Sequence, residues 1–494
     1  IQPIVLLLLI SFSRFIALYW LGGMYIEQLQ QGKKPRALIY GAGKAGRELR
    51  TALAHNAEIN VVGFLDDNLK LQDSQILGLP VYNPMDMEKI IIKKRVNEVM
   101  LALPFINRNR RNDILGQIRK KNIIVRTLPS FTDLAQGRVT VNDIRELSIE
   151  DVLGREAVAP DLKLMQRDVT DKIVLITGAG GSIGSELCRQ IYLQNPKKLV
   201  LFDHSEFALY TILEELKKLA TKDKKIIDIL GYLGSVNDKI KIEQLLKDVL
   251  PETIFHAAAY KHVPLVQENQ FEGIKNNVFG TLILSKAAIS FGIKKFVLIS
   301  TDKAVRPSNV MGASKRLAEM ILQALSTTQN KTIFAIVRFG NVLDSSGSVV
   351  PLFRSQIKSG GPVTITHTEI TRYFMTMPEA AQLVIQAGAM TQTTPKSGKT
   401  SPVYILDMGM PVKIYDLAKH MIELSGLSVF DETTGEGDIQ IKVTGLRPGE
   451  KLFEELLITD ISNDSTHPKI KYANEAFLQW HELNKNLLEI EEAI

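Results

Sequence analysis

The chain has 494 residues, 45% of them apolar and 23% charged, with a formal net charge of +6. That length exceeds what one hydrophobic core normally organises, so two or three domains are expected, and the composition excludes extended disorder. The basic residues are spread out, which argues against a nucleic-acid stripe. The mild positive charge, although it would suit an anionic small molecule or membrane surface, reads first as general solubility. The single cysteine, Cys188, and the lack of Cys/His clusters at zinc spacing exclude a disulfide framework and point to no metal.

The first residue is Ile, so the chain is expected to begin inside a longer protein. Residues 4–26 are apolar apart from Arg14 and a few hydroxyl side chains, long enough to cross a hydrocarbon layer of about 30 Å. A central arginine costs roughly 2.5–3.5 kcal/mol there, so the segment reads as a spanning helix or as an interfacial one carrying Tyr19 and Trp20, with a buried soluble helix as the alternative. Lys33, Lys34 and Arg36 follow, and by the positive-inside rule they place the remainder in the cytoplasm.

Residues 1–30 therefore form an apolar membrane-associated helix, and two strand, glycine-turn, helix units divide the rest of the chain. The fold class is α/β, with two Rossmann-like doubly wound parallel-sheet domains. Residues 31–135 make the smaller one, 136–170 a connector without a clear element, and 171–494 the larger one, with a substrate-binding lobe mainly from 345 onward. The first unit runs from residues 36–40 into Gly41, Gly43 and Gly46, with Asp66 twenty residues beyond Gly46. A bound ligand and a vestigial turn both remain open for it.

The second unit places Thr177, Gly178, Gly181, Ser182, Ile183 and Gly184 between a strand and a helix, so that backbone N–H groups and the helix N-terminus can receive a pyrophosphate. Asp203, nineteen residues after Gly184, can accept the adenosine ribose hydroxyls and would repel a 2′-phosphate, which selects NAD over NADP. Small residues Ala257, Ala258 and Ala259 after the next strand let backbone approach a nicotinamide ring, with His256 read as a satisfied structural histidine. Lys261 and His262 emerge at the ligand-binding edge and read as substrate-loop residues. Asn276 and Asn277 read as caps or interior bridges, and Asn277 also enters the substrate set. The strand ending at Ser300 delivers Thr301, Asp302 and Lys303 to the same edge. Ten residues after Thr301 comes Met311, with Lys315 one helical turn further on. That pair has the spacing of the Tyr and Lys of a short-chain dehydrogenase, but a thioether has no proton to exchange.

Residues 171–494 resemble the extended short-chain dehydrogenases acting on nucleotide sugars, and specifically the membrane-anchored UDP-N-acetylglucosamine 4,6-dehydratases of bacterial glycan and polysaccharide biosynthesis. The motifs carrying the resemblance are residues 177–184, 203–206, 256–264, 300–315, 338–342, 371–375 and 445–451. Its larger members also place membrane helices and a small Rossmann-like domain first, and have Met at the Tyr position. The resemblance implies NAD, a UDP-sugar substrate, attachment to the bacterial inner membrane and a homo-oligomer. It brings His204 and Ser205 to the cofactor, and residues 338–342, among them Asn341, with Val349, Arg372, Arg447 and Glu450 to the uridine and diphosphate. Intramolecular salt bridging is the alternative for the arginines. Ser235 and Val236 stand where many relatives have an Asp near adenine, so altered adenine contacts are expected.

The implied reaction oxidises C4, eliminates water across C5 and C6, and returns hydride to C6. Lys303 is assigned to C5 deprotonation, Asp302 to the acid, Thr301 to a hydrogen bond with the 4-oxygen, and Lys315 to the nicotinamide ribose. A C4 epimerase shares the first step. A non-catalytic membrane-tethered NAD or sugar-nucleotide sensor, with Met311 marking a dead site, is the rival of another class.

Overall fold

The computed structural model describes residues 35–54, 59–103, 123–127, 145–146, 159–391, 401–425, 427–458 and 462–494, together with 12–14, 114 and 118. The expected membrane segment lies outside the described residues apart from 12–14, as does most of the connector. Among the described residues no helix is long and apolar enough to cross a membrane. The chain divides into two compact units, residues 1–154 with 420–439, and residues 155–419 with 440–494.

In the first unit, β1 (Arg36–Tyr40), β2 (Asn60–Leu65), β3 (Gln75–Ile76), β4 (Leu79–Tyr82), β5 (Glu98–Leu101), β6 (Ile124–Thr127) and β7 (Arg145–Glu146) form one sheet in the order β3-β4-β2-β1-β5-β6-β7. Its inner pairs are parallel and only the two edge pairs antiparallel. Gly41, at φ 104°, leaves β1 for α1 (Lys44–Ala54). A Cβ on Gly46 would stand 1.9 Å from the Gly41 carbonyl oxygen, and Asp66 accepts the Ala42 N–H at 2.7 Å.

The second unit is built on nine strands. β8 (Ile173–Thr177), β9 (Lys198–Asp203), β10 (Asp228–Leu233), β11 (Thr253–His256), β12 (Lys295–Thr301) and β13 (Ile333–Phe339) are joined by β18 (Val403–Leu406), β21 (Asn463–Asp464) and β22 (Ile470–Ala473). Their order is β10-β9-β8-β11-β12-β13-β18-β22-β21, parallel as far as β18. Strands such as β8 are apolar almost throughout because helices cover both faces of the sheet. One face packs α2 (Ser182–Leu193), α3 (Glu206–Asp223) and the helix Met377–Met390, and the other packs α4 (Lys239–Val249), α5 (Gly280–Ser290), α6 (Val310–Thr328) and the helix Trp480–Ala493. Beyond residue 340 the regular alternation gives way to three short pairs, β14 (Asn341–Val342) with β17 (Phe374–Met375), β15 (Val363–Ile365) with β20 (Ile441–Val443), and β16 (Thr371–Arg372) with β19 (Val412–Lys413).

A buried charge network ties this irregular portion to the sheet. Arg338, at the end of β13, has no solvent exposure. Its Nε and Nη2 donate to Glu319 of α6 at 3.1 and 2.7 Å, and Nη1 and Nη2 donate to Glu475 at 2.7 and 2.8 Å. Burial opposes the charge of Glu319, but Arg338, Arg316 and the Ser300 hydroxyl more than offset it, and the carboxyl is held below its usual range. The expectation that Arg338 meets the substrate diphosphate is thereby corrected, since its donors are turned inward. Removing one partner of such a buried set leaves charges unpaired. Arg338→Met is expected to lose about 3–5 kcal/mol of stability in urea unfolding; a loss under about 1 kcal/mol would contradict the account.

Candidate active site

Close backbone approach shapes the first half of the site. Gly178 (φ 68°) turns β8 towards α2, and a Cβ there would stand 2.6 Å from the Ala258 nitrogen. On Gly184 a Cβ would stand 1.9 Å from the Gly178 carbonyl oxygen, so only glycine lets helix and turn meet. Asp203 closes the turn from β9, with Oδ2 accepting from Gly180 N–H at 2.9 Å and Oδ1 from Ser205 N–H at 2.8 Å. His204, Ser205, Ser235, Val236 and residues 257–259 line a cavity of about 200 Å³ beside it. His256 does not line it: buried, it bridges Thr177 Oγ1 at 2.7 Å and Thr281 Oγ1 at 3.0 Å. Burial, then Lys315, lowers its pKa to about 3, so it is a neutral scaffold group, as read from sequence.

This cavity shares Gly178, Gly181, Ala257, Ala259 and Tyr260 with a larger one of about 840 Å³. Five cationic residues, Lys261, Lys303, Lys315, Arg372 and Arg447, line the larger cavity against two acidic ones, Glu272 and Glu450, a balance suited to an anionic ligand. Ser182, Ile183, His262, Thr301, Met311, Asn341 and Val349 also border it.

The reactive corner forms where β12 ends. Thr301 caps a short 3₁₀ turn, Asp302–Ala304, and donates its hydroxyl to Asp302 Oδ1 at 2.8 Å. Lys303 Nζ donates to the same oxygen at 3.0 Å and to Asn341 Oδ1 at 3.1 Å. Helix α6 comes up against this turn because residue 312 is glycine, where a Cβ would stand 2.2 Å from the Lys303 carbonyl oxygen. Asn309 caps the helix through Gly312 N–H at 2.8 Å. Met311 and Lys315, one turn apart, then present one face to the cavity. Lys315 Nζ donates to the Ile299 carbonyl at 2.7 Å, and burial lowers its pKa to about 8 against the pull of Glu319.

Three expected residues are placed differently, the first being Thr177, which is fully buried with its hydroxyl on His256 and borders neither cavity. Asp302 is fully buried and does not border the cavity, so it reaches a ligand only through Thr301 or Lys303. Asn277 is not a cavity residue either. It lies in a π-helical turn, Lys275–Phe279, where its side chain accepts from Tyr260 N–H at 2.8 Å and donates to the Tyr260 carbonyl at 3.0 Å and Ser314 Oγ at 2.9 Å. Arg372 borders the cavity but spends its donors on Thr371, Leu452 and Lys451 carbonyls and on Glu450 Oε1 at 3.3 Å. Arg447 stays exposed.

Residues 174–475 match the family model described as polysaccharide biosynthesis protein. The chain belongs to that family. Capsular polysaccharide biosynthesis protein CapD of Staphylococcus aureus is 40% identical over 94% of this chain and 78% of its own. EpsC of Bacillus subtilis is 42% identical over 88% of this chain and 70% of its own. The X-ray structure of Pen from Bacillus thuringiensis is 31% identical, with a TM-score of 0.52 over 65% of this chain and 99% of that one.

Two further features of the site carry little signal in the sequence. Ser346 N–H donates to Ser182 Oγ at 3.1 Å, drawing the loop after β14 to the start of α2. Glu454, buried behind Lys303, stands beside a second carboxylate in Leu452-Phe453-Glu454-Glu455-Leu456, and only the fold buries the first of the pair.

The lowered pKa of Lys315 has a thermodynamic consequence. From about 8 up to the ordinary 10.5 the unfolded chain binds the proton that the folded chain has lost. Stability from this group is thus fully present above 10.5 and lost as pH falls through about 8, a difference of roughly 3 kcal/mol. Urea unfolding should show stability rising across that window relative to Lys315→Met; parallel profiles for the two chains would contradict it.

Proposed function

We propose that the chain is an NAD-dependent 4,6-dehydratase converting UDP-N-acetylglucosamine to a UDP-4-keto-6-deoxy-N-acetylhexosamine for bacterial glycan or polysaccharide biosynthesis. The observation that carries the reading is the chain of contacts Thr301 Oγ1, Asp302 Oδ1, Lys303 Nζ at 2.8 and 3.0 Å, with Thr301 and Lys303 on the cavity wall and a thioether where a proton-exchanging phenol would otherwise stand. The 40% identity to a capsular polysaccharide biosynthesis protein supports the setting. In the same reading the apolar segment at residues 4–26 attaches the protein to the cytoplasmic face of the inner membrane.

The residues present fit a dinucleotide. The turn from Gly178 to Gly184, whose spacing a Cβ would close, would receive the pyrophosphate, Asp203 the adenosine ribose, and Lys315 the nicotinamide ribose. NAD, when bound, supplies the acceptor that takes hydride from C4 and returns it at C6.

The proton chemistry falls to the chain's own side chains. Thr301 Oγ1 takes the proton of the 4-hydroxyl as it passes its own to Asp302 Oδ1. The resulting 4-ketone acidifies the hydrogen at C5. Lys303, as the free amine, removes it. The C6 hydroxyl then departs as water with the proton that Asp302 returns through Thr301, and Lys303 gives its proton back to C5 once C6 has been reduced. Burial of Asp302 keeps the relayed proton from solvent between the two uses.

The purified chain, incubated with UDP-N-acetylglucosamine and analysed by mass spectrometry and NMR, is expected to release the dehydrated 4-keto sugar. Asp302→Asn and Lys303→Met are each expected to lower the rate about 10²- to 10⁴-fold. A product of unchanged mass epimerised at C4, or NAD binding with no turnover, would overturn the assignment, as would near-normal turnover by Asp302→Asn.

A further inference from the structure

Lys303 is held from two sides. On the cavity wall it meets Asn341, and away from the cavity it meets Asp302 and Glu454, whose Oε1 is 3.9 Å from Nζ. The Glu454 side chain is 4% exposed, its Oε2 is buried without a hydrogen-bond partner, and it does not border the cavity. Arg372 Nε lies 4.0 Å from Oε1. A buried carboxylate oxygen with no donor is costly, which disfavours the ionised form of Glu454.

The geometry points to Glu454 as a positioning residue that governs how tightly Lys303 holds its proton, and so when Lys303 is available as the base at C5. This rests on the assignment of Lys303 to that step.

With Glu454 neutral, Lys303 faces one negative charge, that of Asp302. With Glu454 ionised it faces two, and a second carboxylate within about 4–6 Å favours the ammonium. The charged groups that face Glu454 are Lys303 and Asp302 from the turn after β12, Arg372 from β16, and Lys451 from its own segment. Burial raises the Glu454 carboxyl above its ordinary range; Lys303, Arg372 and Lys451 pull against this and Asp302 adds to it. The carboxyl therefore ionises later than an ordinary glutamate as pH rises, and once ionised it holds the lysine proton. Asn341, neutral at any pH, fixes the direction of Nζ without taking part in this coupling.

The test reads the lysine itself. The full chain is exposed to cyanate over a range of pH, and carbamoylation of Lys303, whose side chain is 19% exposed, is followed by peptide mass spectrometry. In Glu454→Gln the midpoint of modification should fall by about one pH unit or more, and the rising limb of turnover should move with it. Glu454→Asp, which keeps the charge, should restore most of the original midpoint. An unchanged midpoint in Glu454→Gln would overturn the inference, and so would equal shifts in the Gln and Asp variants, which would mark loss of packing rather than loss of charge. Because carbamoylation needs no sugar nucleotide, the expected shift in a chain that leaves UDP-N-acetylglucosamine intact would uphold the coupling and sink the proposed reaction.

Discussion

Everything at the reactive corner depends on a guanidinium that never meets solvent. Arg338 sits at the end of the central strand β13, beside Ser300 in the register of β12. Desolvating an ion costs several kcal/mol, and only good geometry with every donor used recovers it. Glu319 and Glu475 supply that geometry, and the Leu456 carbonyl takes a further bond from Nη1 at 3.2 Å. Glu319 also accepts the Ser300 hydroxyl at 2.6 Å, so the residue immediately before Thr301 is pinned to α6, the helix that carries Met311 and Lys315. One network thereby fixes both walls of the corner.

That rigidity explains how the site can dispense with a phenol. In the proposed reaction a tyrosine would reach the 4-oxygen directly from α6. Here Met311 fills the position with apolar bulk, and the proposed proton path runs instead from the end of β12, through a threonine hydroxyl to a carboxylate kept out of solvent. A relay of this kind works only if its members do not wander. Thr301 is held by its own turn, Asp302 by two donors on one oxygen, and Lys303 by Gly312, which admits α6 against its carbonyl.

Much of the second unit was legible in the sequence, because its signals are local. A strand, a glycine spacing and an acid at the next strand end lie within about thirty residues, and the structure joins them by single hydrogen bonds such as that from Gly180 N–H to Asp203. What was not legible depends on distant partners. An arginine after five apolar residues in β13 reads equally as a phosphate ligand or an ion pair, since Glu319 and Glu475 lie 19 and 137 residues away. Asn277 carries no sign that a π-helical turn will face it towards Tyr260. Asp302 could be read as a catalytic acid from its neighbours, but its lack of exposure follows from residues that arrive later in the chain, Gly340 among them. The first unit repeats the turn-and-acid geometry in Gly41, Gly46 and Asp66, so its fold could be read in the same way, although geometry alone names no ligand for it.

The central claim is that this corner moves a hydrogen from C4 to C6 within one sugar residue. Its most direct measurement uses UDP-N-acetylglucosamine carrying deuterium at C4, with the product examined by NMR and mass spectrometry. The account predicts that the deuterium appears at C6 of a 4-keto-6-deoxy sugar within the same molecule. Deuterium retained at C4 of an epimerised sugar, or lost to solvent, would contradict it.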